Sequence, residues 1–317
     1  MKEKKISIVI PVYNEKENIE ELYEKVKKSL DLEGYNYELI FVDDGSIDDS
    51  WVVIKNIADK DKRVRGLKLS RNYGQTFALY AGFQEAKGDI IITMDADLQN
   101  DPDDIGDLMK EMEKGYDIVS GWRKERKDPF FTKILPSKIA NFLISLITGV
   151  KLKDYGCTLK AYKADVIKGI KLYGEMHRFL PALCAFEGAK ISEIPVRHHR
   201  RKKGKSKYGL TRTFKVILDL FTVKFMGSFF LKPIYFFGGV GLFLCFIGVL
   251  FALWTLYDKY FLGVFVHRNP KILISFMFFP MGVQFILMGI IMEVLIRNYF
   301  ESQNKLPYNI KERYGGD

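Results

Sequence analysis

Cysteine is scarce and unpatterned in this chain: Cys157, Cys184 and Cys245 are odd in number and form no C-x-x-C pair. That spacing excludes a disulfide framework and a zinc knuckle, and it points to a reducing compartment. The first residues carry neither an apolar h-region nor a cleavage site, so no signal peptide is expected. No G-x-G-x-x-G follows the first apolar run, which removes the dinucleotide fingerprint. Gly204-Lys205-Ser206 could end a Walker A loop, but His199 stands where the first glycine belongs and no strand precedes it. Histidine is rare too, and His177, His198 and His199 have no acid or cysteine at ligand spacing, so they read as surface or structural residues. Acidic residues vanish altogether from Ile194 to Leu218.

What fills that acid-free stretch is positive charge: Arg197, Arg200, Arg201, Lys202, Lys203, Lys205, Lys207, Arg212 and Lys215. The whole chain, 317 residues with a net charge of +10, therefore expects an anionic partner. No aromatic-interleaved basic stripe of the kind that binds nucleic acid is present, so the candidates are a phosphorylated substrate and a membrane surface. A mean hydropathy near zero hides a split. A charged first two-thirds offsets a C-terminal stretch in which Ile234 to Leu256 and Ile272 to Met292 carry no charge. The first run would be about 34 Å long as a helix, enough for a hydrocarbon core of about 30 Å. The short link from Asp258 to Lys271 makes the pair an antiparallel hairpin. Lys and Arg are denser before the first span than in this link, which places the large N-terminal domain in the cytoplasm, on a cytoplasmic (inner) membrane.

Ahead of the spans, apolar runs of strand length alternate with helical periodicity. Ile6 to Val12 and Tyr37 to Val42 flank a helix that buries Ile19, Leu22, Tyr23, Val26 and Leu30. The pattern continues with a strand at Val64 to Leu69, a helix at Thr76 to Ala86, a strand at Ile90 to Met94, a helix at Pro102 to Lys114 and a strand at Asp117 to Val119. The implied fold class is α/β, a doubly wound, mostly parallel sheet. The expected division is a catalytic domain over 1–210, an interfacial amphipathic helix over 211–232, a transmembrane hairpin over 233–296 and a cytoplasmic tail over 297–317. Spans this few leave room for packing between protomers, so a homo-oligomer is a candidate assembly.

Ligands of such sheets bind beyond the carboxyl ends of the strands, and the residues that fall there are mostly acids. Asn14 and Glu15 follow the first strand, Asp43 and Asp44 the second, and Asp95, Asp97 and Gln99 the fourth. An acidic site in a basic protein wants a cation or hydroxyl groups. Asp95-x-Asp97 supplies hard oxygen ligands suited to Mg²⁺ or Mn²⁺ bridging a diphosphate.

Six motifs in order then carry a resemblance: Pro11-Val-Tyr-Asn-Glu15, Val42-Asp-Asp-Gly-Ser46, Arg71-Asn-Tyr-Gly-Gln75, Asp95-Ala-Asp-Leu-Gln99, Asp154-Tyr-Gly-Cys157 and Ser206-Lys-Tyr208. Together they resemble the family 2 glycosyltransferases that act on polyprenyl phosphates, a GT-A-type fold, over nearly the whole chain. The resemblance is strongest to the bacterial undecaprenyl-phosphate enzymes of the 4-deoxy-4-formamido-arabinose transferase type, and more distant to dolichyl-phosphate mannose synthase. It implies an inverting, metal-dependent transfer from a UDP- or GDP-linked nucleotide sugar to undecaprenyl phosphate. It implies that Pro11, Tyr13, Glu15, Asp43, Asp44, Asp95 and Ala96 form the nucleotide site and that Asp95, Asp97 and Gln99 hold the metal. The chemistry would rest on Asp97 and Arg123, and the acceptor phosphate on Arg123, Lys133, Ser137, Arg201, Lys205 and Lys207. Lys133 stands at a family arginine position, where a bidentate fork becomes a point charge. A processive polysaccharide synthase would carry Q-x-x-R-W, a context that Trp51, Trp122 and Trp254 all lack. A non-catalytic membrane scaffold would have no need of an intact Asp95-x-Asp97.

Overall fold

The computed structural model describes residues 4–124, 135–172, 176–199, 219–220, 222–227, 229 and 232–302. Lys133, Arg201, Lys205, Lys207, most of the expected interfacial helix and the tail beyond 302 lie outside the described residues. The chain divides into two compact units between Val223 and Lys224.

In the first unit, strands β1 (Ile6–Val12), β2 (Tyr37–Asp43), β3 (Val64–Lys68), β4 (Ile90–Thr93), β5 (Ile118–Arg123), β6 (Lys160–Lys163) and β7 (Ile191–Val196) form one sheet in the order β3-β2-β1-β4-β6-β5-β7. β1 and β2 are buried almost throughout, as strands covered by helices on both faces must be. Helix α1 (Lys16–Glu33) buries Ile19, Leu22, Val26 and Leu30, a stripe at helical spacing, and ends where Gly34 turns left-handed (φ +70°). Helices α2 (Ser50–Lys60), α3 (Gln75–Glu85) and α4 (Ile105–Glu113) follow β2, β3 and β4. The expected helix from Pro102 to Lys114 is a turn of 3-10 helix, Pro102–Asp104, running into α4, with the Asp101 side chain capping its start.

Beyond β5 the periodicity left the architecture unread. α5 (Leu135–Thr148), β6, α6 (Ala164–Lys168), a 3-10 turn Met176–Phe179, α7 (Leu180–Phe186) and β7 follow. β6 runs antiparallel between β4 and β5, with Thr93 and Ser120 both opposite Lys160. β5 therefore keeps the direction of β4, and Arg123 ends at the same sheet edge as Asp95.

The second unit is a pair of long helices, α8 (Pro233–Phe261) and α9 (Lys271–Ser302), both long and apolar enough to cross a membrane. The expected spans lie inside them. Large side chains such as Leu242, Phe243, Phe246 and Leu253 face outward, while Gly241, Gly248 and Thr255 are buried. On α9, Ser275, Gly282, Gly289 and Ile296 are the buried positions among the described residues. Both sets recur every seven residues, the period of a left-handed helix pair. The approach is close: a Cβ on Gly241 would lie 2.6 Å from the Gly282 carbonyl oxygen, and one on Gly248 would lie 2.8 Å from the Phe279 nitrogen. Small residues inside and large apolar ones outside is the arrangement of helices that pack in lipid, where there is no hydrophobic drive to bury bulk. The link is tied by the Asp258 carboxylate, which accepts from Asn269 Nδ2 and Lys271 Nζ, each at 2.7 Å.

Candidate active site

At the carboxyl edge of the parallel strands, the loops after β1 and β2 lock together. The Asn14 backbone N–H donates to Ser46 Oγ (2.9 Å), the Ile47 N–H donates to Asn14 Oδ1 (2.9 Å), and the Glu15 N–H donates to Ser50 Oγ (3.0 Å). Asn14 adopts a left-handed backbone (φ 52°) to make this exchange, a conformation asparagine tolerates better than most residues. Pro11 pairs with Val42 of β2 but lies beyond the β1–β4 register, which ends at Val9 and Thr93. Its missing N–H therefore interrupts no ladder on that side.

The two aspartates after β2 divide their work. Asp43 is fully buried; its Oδ1 accepts from the Ser46 N–H at 3.0 Å, and its Oδ2 has no hydrogen-bond partner. A buried carboxylate oxygen without a donor is costly, and this one retains its capacity to accept an N–H or O–H. Asp44 instead grips the following motif, accepting from the Tyr73 N–H (2.7 Å) and the Gly74 N–H (2.9 Å). Burial raises the Asp44 carboxyl above its ordinary range, against the pull of those two bonds. Gly45 makes the approach possible. It sits at φ +70°, and a Cβ there would run into the backbone of Arg71 and Asn72. Arg71-Asn-Tyr-Gly-Gln75 is thus held against the loop after β2 by backbone bonds, and its last residue reaches across, Gln75 Nε2 donating to Asp95 Oδ1 at 2.8 Å.

The Asp95 to Gln99 turn is shaped from both sides. Asp97 Oδ1 accepts from the Gln99 N–H at 3.1 Å, Leu98 takes a left-handed φ of 62°, and Asn100 Oδ1 accepts from Thr158 Oγ1 at 3.0 Å. A branched apolar residue in that conformation is strained, and such strain gathers where a turn must aim its side chains. Ala96 is buried beneath the turn, and Asp97 is 8% exposed. Gln99 turns toward the strap that continues β7. Its carbonyl accepts from the His199 N–H (2.9 Å), and its Nε2 donates to the His199 carbonyl (3.3 Å). His199, read from sequence as lacking an acidic partner, faces Asp101 Oδ2 at 3.0 Å. Arg197 is fixed on Asp104, which accepts from the Arg197 N–H (2.7 Å) and Nε (2.8 Å). Asp101, Asp103 and Asp104 therefore anchor the strap.

Arg123 closes the other end of the edge. It does not extend alone: Nε donates to Asp154 Oδ2 at 2.6 Å and Nη2 to Asp154 Oδ1 at 2.8 Å. Burial opposes the Arg123 charge, yet the bonds to Asp154 prevail and hold its pKa above the ordinary guanidinium value. The turn that carries Asp154 is itself fixed. Glu193 of β7 accepts from the Lys153 N–H (2.9 Å) and the Asp154 N–H (3.0 Å). Gly156 leaves room for the guanidinium, since a Cβ there would sit 2.9 Å from Arg123 Nη2. Ser137 lies in the first turn of α5.

Sequence reasoning thus placed Glu15, Asp43, Asp44, Asp95 and Asp97 on one edge, while Arg123 was named through the resemblance alone and the strand directions bring it to the same edge. It did not read Gln75 as a clamp on Asp95, Asp154 as the partner of Arg123, or the buried Lys160. The first two stood inside quoted motifs, whose fixed spacing was the available signal. Lys160 gave none, because one lysine in a short strand looks like an exposed residue.

The glycosyl transferase family 2 model matches residues 7–170, which contain Asp43, Asp44, Gln75, Asp95, Asp97, Arg123 and Asp154. Dodecaprenyl-phosphate galacturonate synthase of Rhizobium johnstonii is 42% identical over 97% of this chain and 92% of its own length. The undecaprenyl-phosphate 4-deoxy-4-formamido-L-arabinose transferase of Edwardsiella ictaluri is 36% identical over 96% of this chain and 93% of its own. Among solved structures, glucosyl-3-phosphoglycerate synthase from Mycobacterium tuberculosis, in complex with Mn²⁺, UDP and glucosyl-3-phosphoglycerate, superposes with a TM-score of 0.56. That match has 17% identity and covers 71% of this chain and 80% of that one, a likeness of fold. With the motifs, the sheet edge and relatives matched along almost the full length in agreement, this chain belongs to glycosyl transferase family 2.

Proposed function

We propose that the chain moves a sugar from a nucleoside-diphosphate sugar to a polyprenyl phosphate at a membrane surface, inverting the anomeric carbon. The observation that carries this reading is the division of one sheet edge into a carboxylate end, with Asp43, Asp95 and Asp97, and a cationic end at Arg123. The names of the full-length relatives, which specify dodecaprenyl and undecaprenyl phosphate, support it, as do two helices apolar enough to sit in lipid.

At the donor end, Asp43 Oδ2 would accept from the base or ribose, with Pro11, Tyr13, Glu15 and Ala96 around it and Asp44 holding the Arg71 to Gln75 segment. Among the described residues no three His, Cys, Asp or Glu side chains converge on one point, so a self-sufficient metal cage is absent there. Asp95 and Asp97, with Gln99 beside them, instead fit Mg²⁺ or Mn²⁺, ions that complete their shell with water and substrate phosphate. When bound there, such an ion would neutralise the charge growing on the departing nucleoside diphosphate. Gln75, by its bond to Asp95 Oδ1, fixes the orientation of that carboxylate.

A phosphate monoester is already ionised near neutral pH, so this acceptor needs no general base to become a nucleophile. Arg123, with Nε and one Nη2 hydrogen committed to Asp154, would offer its outer edge to the acceptor phosphate and hold it in line with the anomeric carbon. Ser137, Lys133, Arg201, Lys205 and Lys207 complete the proposed acceptor set, and the charge bias around the spans supports a cytoplasmic face for the domain.

The test uses the full-length protein in nanodiscs with undecaprenyl phosphate, Mg²⁺ or Mn²⁺ and a panel of UDP- and GDP-sugars. A chelator-sensitive glycosyl-phosphate lipid is expected with one donor. Hydrolysis alone, or no product with any donor, would overturn the reading.

A further inference from the structure

Lys160 is the first residue of β6 and is 3% exposed. Its Nζ donates to the Tyr155 carbonyl at 2.9 Å, a neutral partner. Lys160 stands opposite Thr93 of β4 and Ser120 of β5. The Thr93 hydroxyl is spent on the Thr158 carbonyl (2.6 Å), and the fully buried Ser120 Oγ has no partner. Lysine is rarely buried without a carboxylate bonded to it. Here the carboxylate nearest in the turn, Asp154, is already forked by Arg123.

The geometry points to Lys160 as a positioning residue for Arg123 and as the source of surplus positive charge at the acceptor end, a role that rests on the polyprenyl-phosphate reading. Its ammonium fixes the Tyr155 carbonyl and so the turn that carries Asp154 and Gly156, which together aim the guanidinium. Arg123 and Asp154 cancel each other's charge, and Lys160 leaves the buried trio net positive. An arriving phosphate at the outer edge of Arg123 would complete the neutralisation in surroundings that screen charge poorly. The energetic signature is consistent: burial pushes the Lys160 ammonium down to about 8, with the fields of Arg123 and Arg178 adding to the effect and those of Cys157 and Asp154 opposing it. A charge kept at that cost, with no bonded carboxylate, does not stabilise the fold.

The experiment compares Lys160→Met, Lys160→Arg, Arg123→Ala and the Arg123→Ala/Lys160→Met double variant of the full chain in nanodiscs, reading lipid KM, donor KM and Tm. In Lys160→Met the lipid KM should rise about tenfold or more, as loss of a charged partner implies. Donor KM should stay within about twofold and Tm should not fall, because a buried ammonium is replaced by an apolar side chain of similar length. Lys160→Arg should keep most of the acceptor affinity. The double variant should be little worse than Arg123→Ala alone, as residues acting through one another are not additive. An unchanged lipid KM in Lys160→Met, or equal rises in both KM values with a lower Tm, would overturn the assignment. Full additivity would also overturn it. If Arg123→Ala itself leaves lipid KM unchanged, the acceptor reading of that end fails, a result distinct from failure at Lys160 alone.

Discussion

Arg123 and Asp154 meet as a two-pronged ion pair, Nε to Oδ2 at 2.6 Å and Nη2 to Oδ1 at 2.8 Å, with the Asp154 side chain only 3% exposed. The guanidinium is therefore aimed before any substrate arrives. Asp154→Ala should leave a buried charge without its partner and lower stability by about 3 kcal/mol, read as a fall in Tm. It should also weaken acceptor binding, and wild-type kinetics would separate Arg123 from the acceptor.

Asp97→Asn replaces one of the carboxylates proposed to hold the metal by an amide while keeping the shape of the turn. Turnover should fall about a hundredfold or more, the scale of losing one electrostatic contact to the transition state. Circular dichroism should be unchanged. Initial rates over a Mn²⁺ titration check it, and full activity at ordinary metal concentration would move the metal elsewhere.

Gly45→Ala asks a Cβ to occupy space filled by the Arg71 and Asn72 backbone at a left-handed φ. The Arg71 to Gln75 segment must back away, releasing Gln75 from Asp95. Donor KM should rise and stability should drop by about 1–3 kcal/mol. A nucleotide-binding titration beside a melting curve tests both halves.

In the helical hairpin, Gly282→Leu drives a side chain into the Gly241 carbonyl and Cys245 Sγ, which already stand 2.5 Å from an ideal Cβ. The two helices must separate. A lower melting temperature in detergent is expected, corresponding to about 1–3 kcal/mol, with nucleotide binding by the first unit retained. An unchanged melt would show that the seam does not hold the pair.

Burial raises the Cys157 thiol to about 11 and the Cys184 thiol to about 12, and the thiolate is the reactive form. Neither should be alkylated by iodoacetamide at pH 8 in the folded protein, while both should react after denaturation. Mass spectrometry of the native labelling reaction checks this.

Much of this was legible in the sequence. Strands β1 to β4 and helices α1, α3 and α4 announced themselves because a sheet covered on both faces writes near-continuous apolar runs, and its helices write a stripe at every third or fourth residue; α2 (Ser50–Lys60) was not read. The acids of the edge were legible for the same reason, since a strand end is a marked place. β6 was not, because four residues, Lys160–Lys163, with a charge at each end carry no period. The partner of Arg123 was equally hidden: Asp154 is 31 residues away and meets it only through the sheet order. The seam of the hairpin lay in plain view as glycines seven apart, but hydropathy counts bulk and passes over small residues.

The reversed direction of β6 has a consequence for how this enzyme can change. In the parallel strands the functional positions come last, so their loops can lengthen without disturbing the ladder behind them. In β6 the functional position comes first, and the turn from Asp154 to Leu159 feeds directly into the register that sets Lys160 opposite Thr93 and Ser120. Were an added residue there to slip the β6 pairing by one, the ammonium would turn to the other side of the sheet. A change of length in this connection therefore puts the register of Lys160 at stake, which the loops after the parallel strands do not do for the strands behind them.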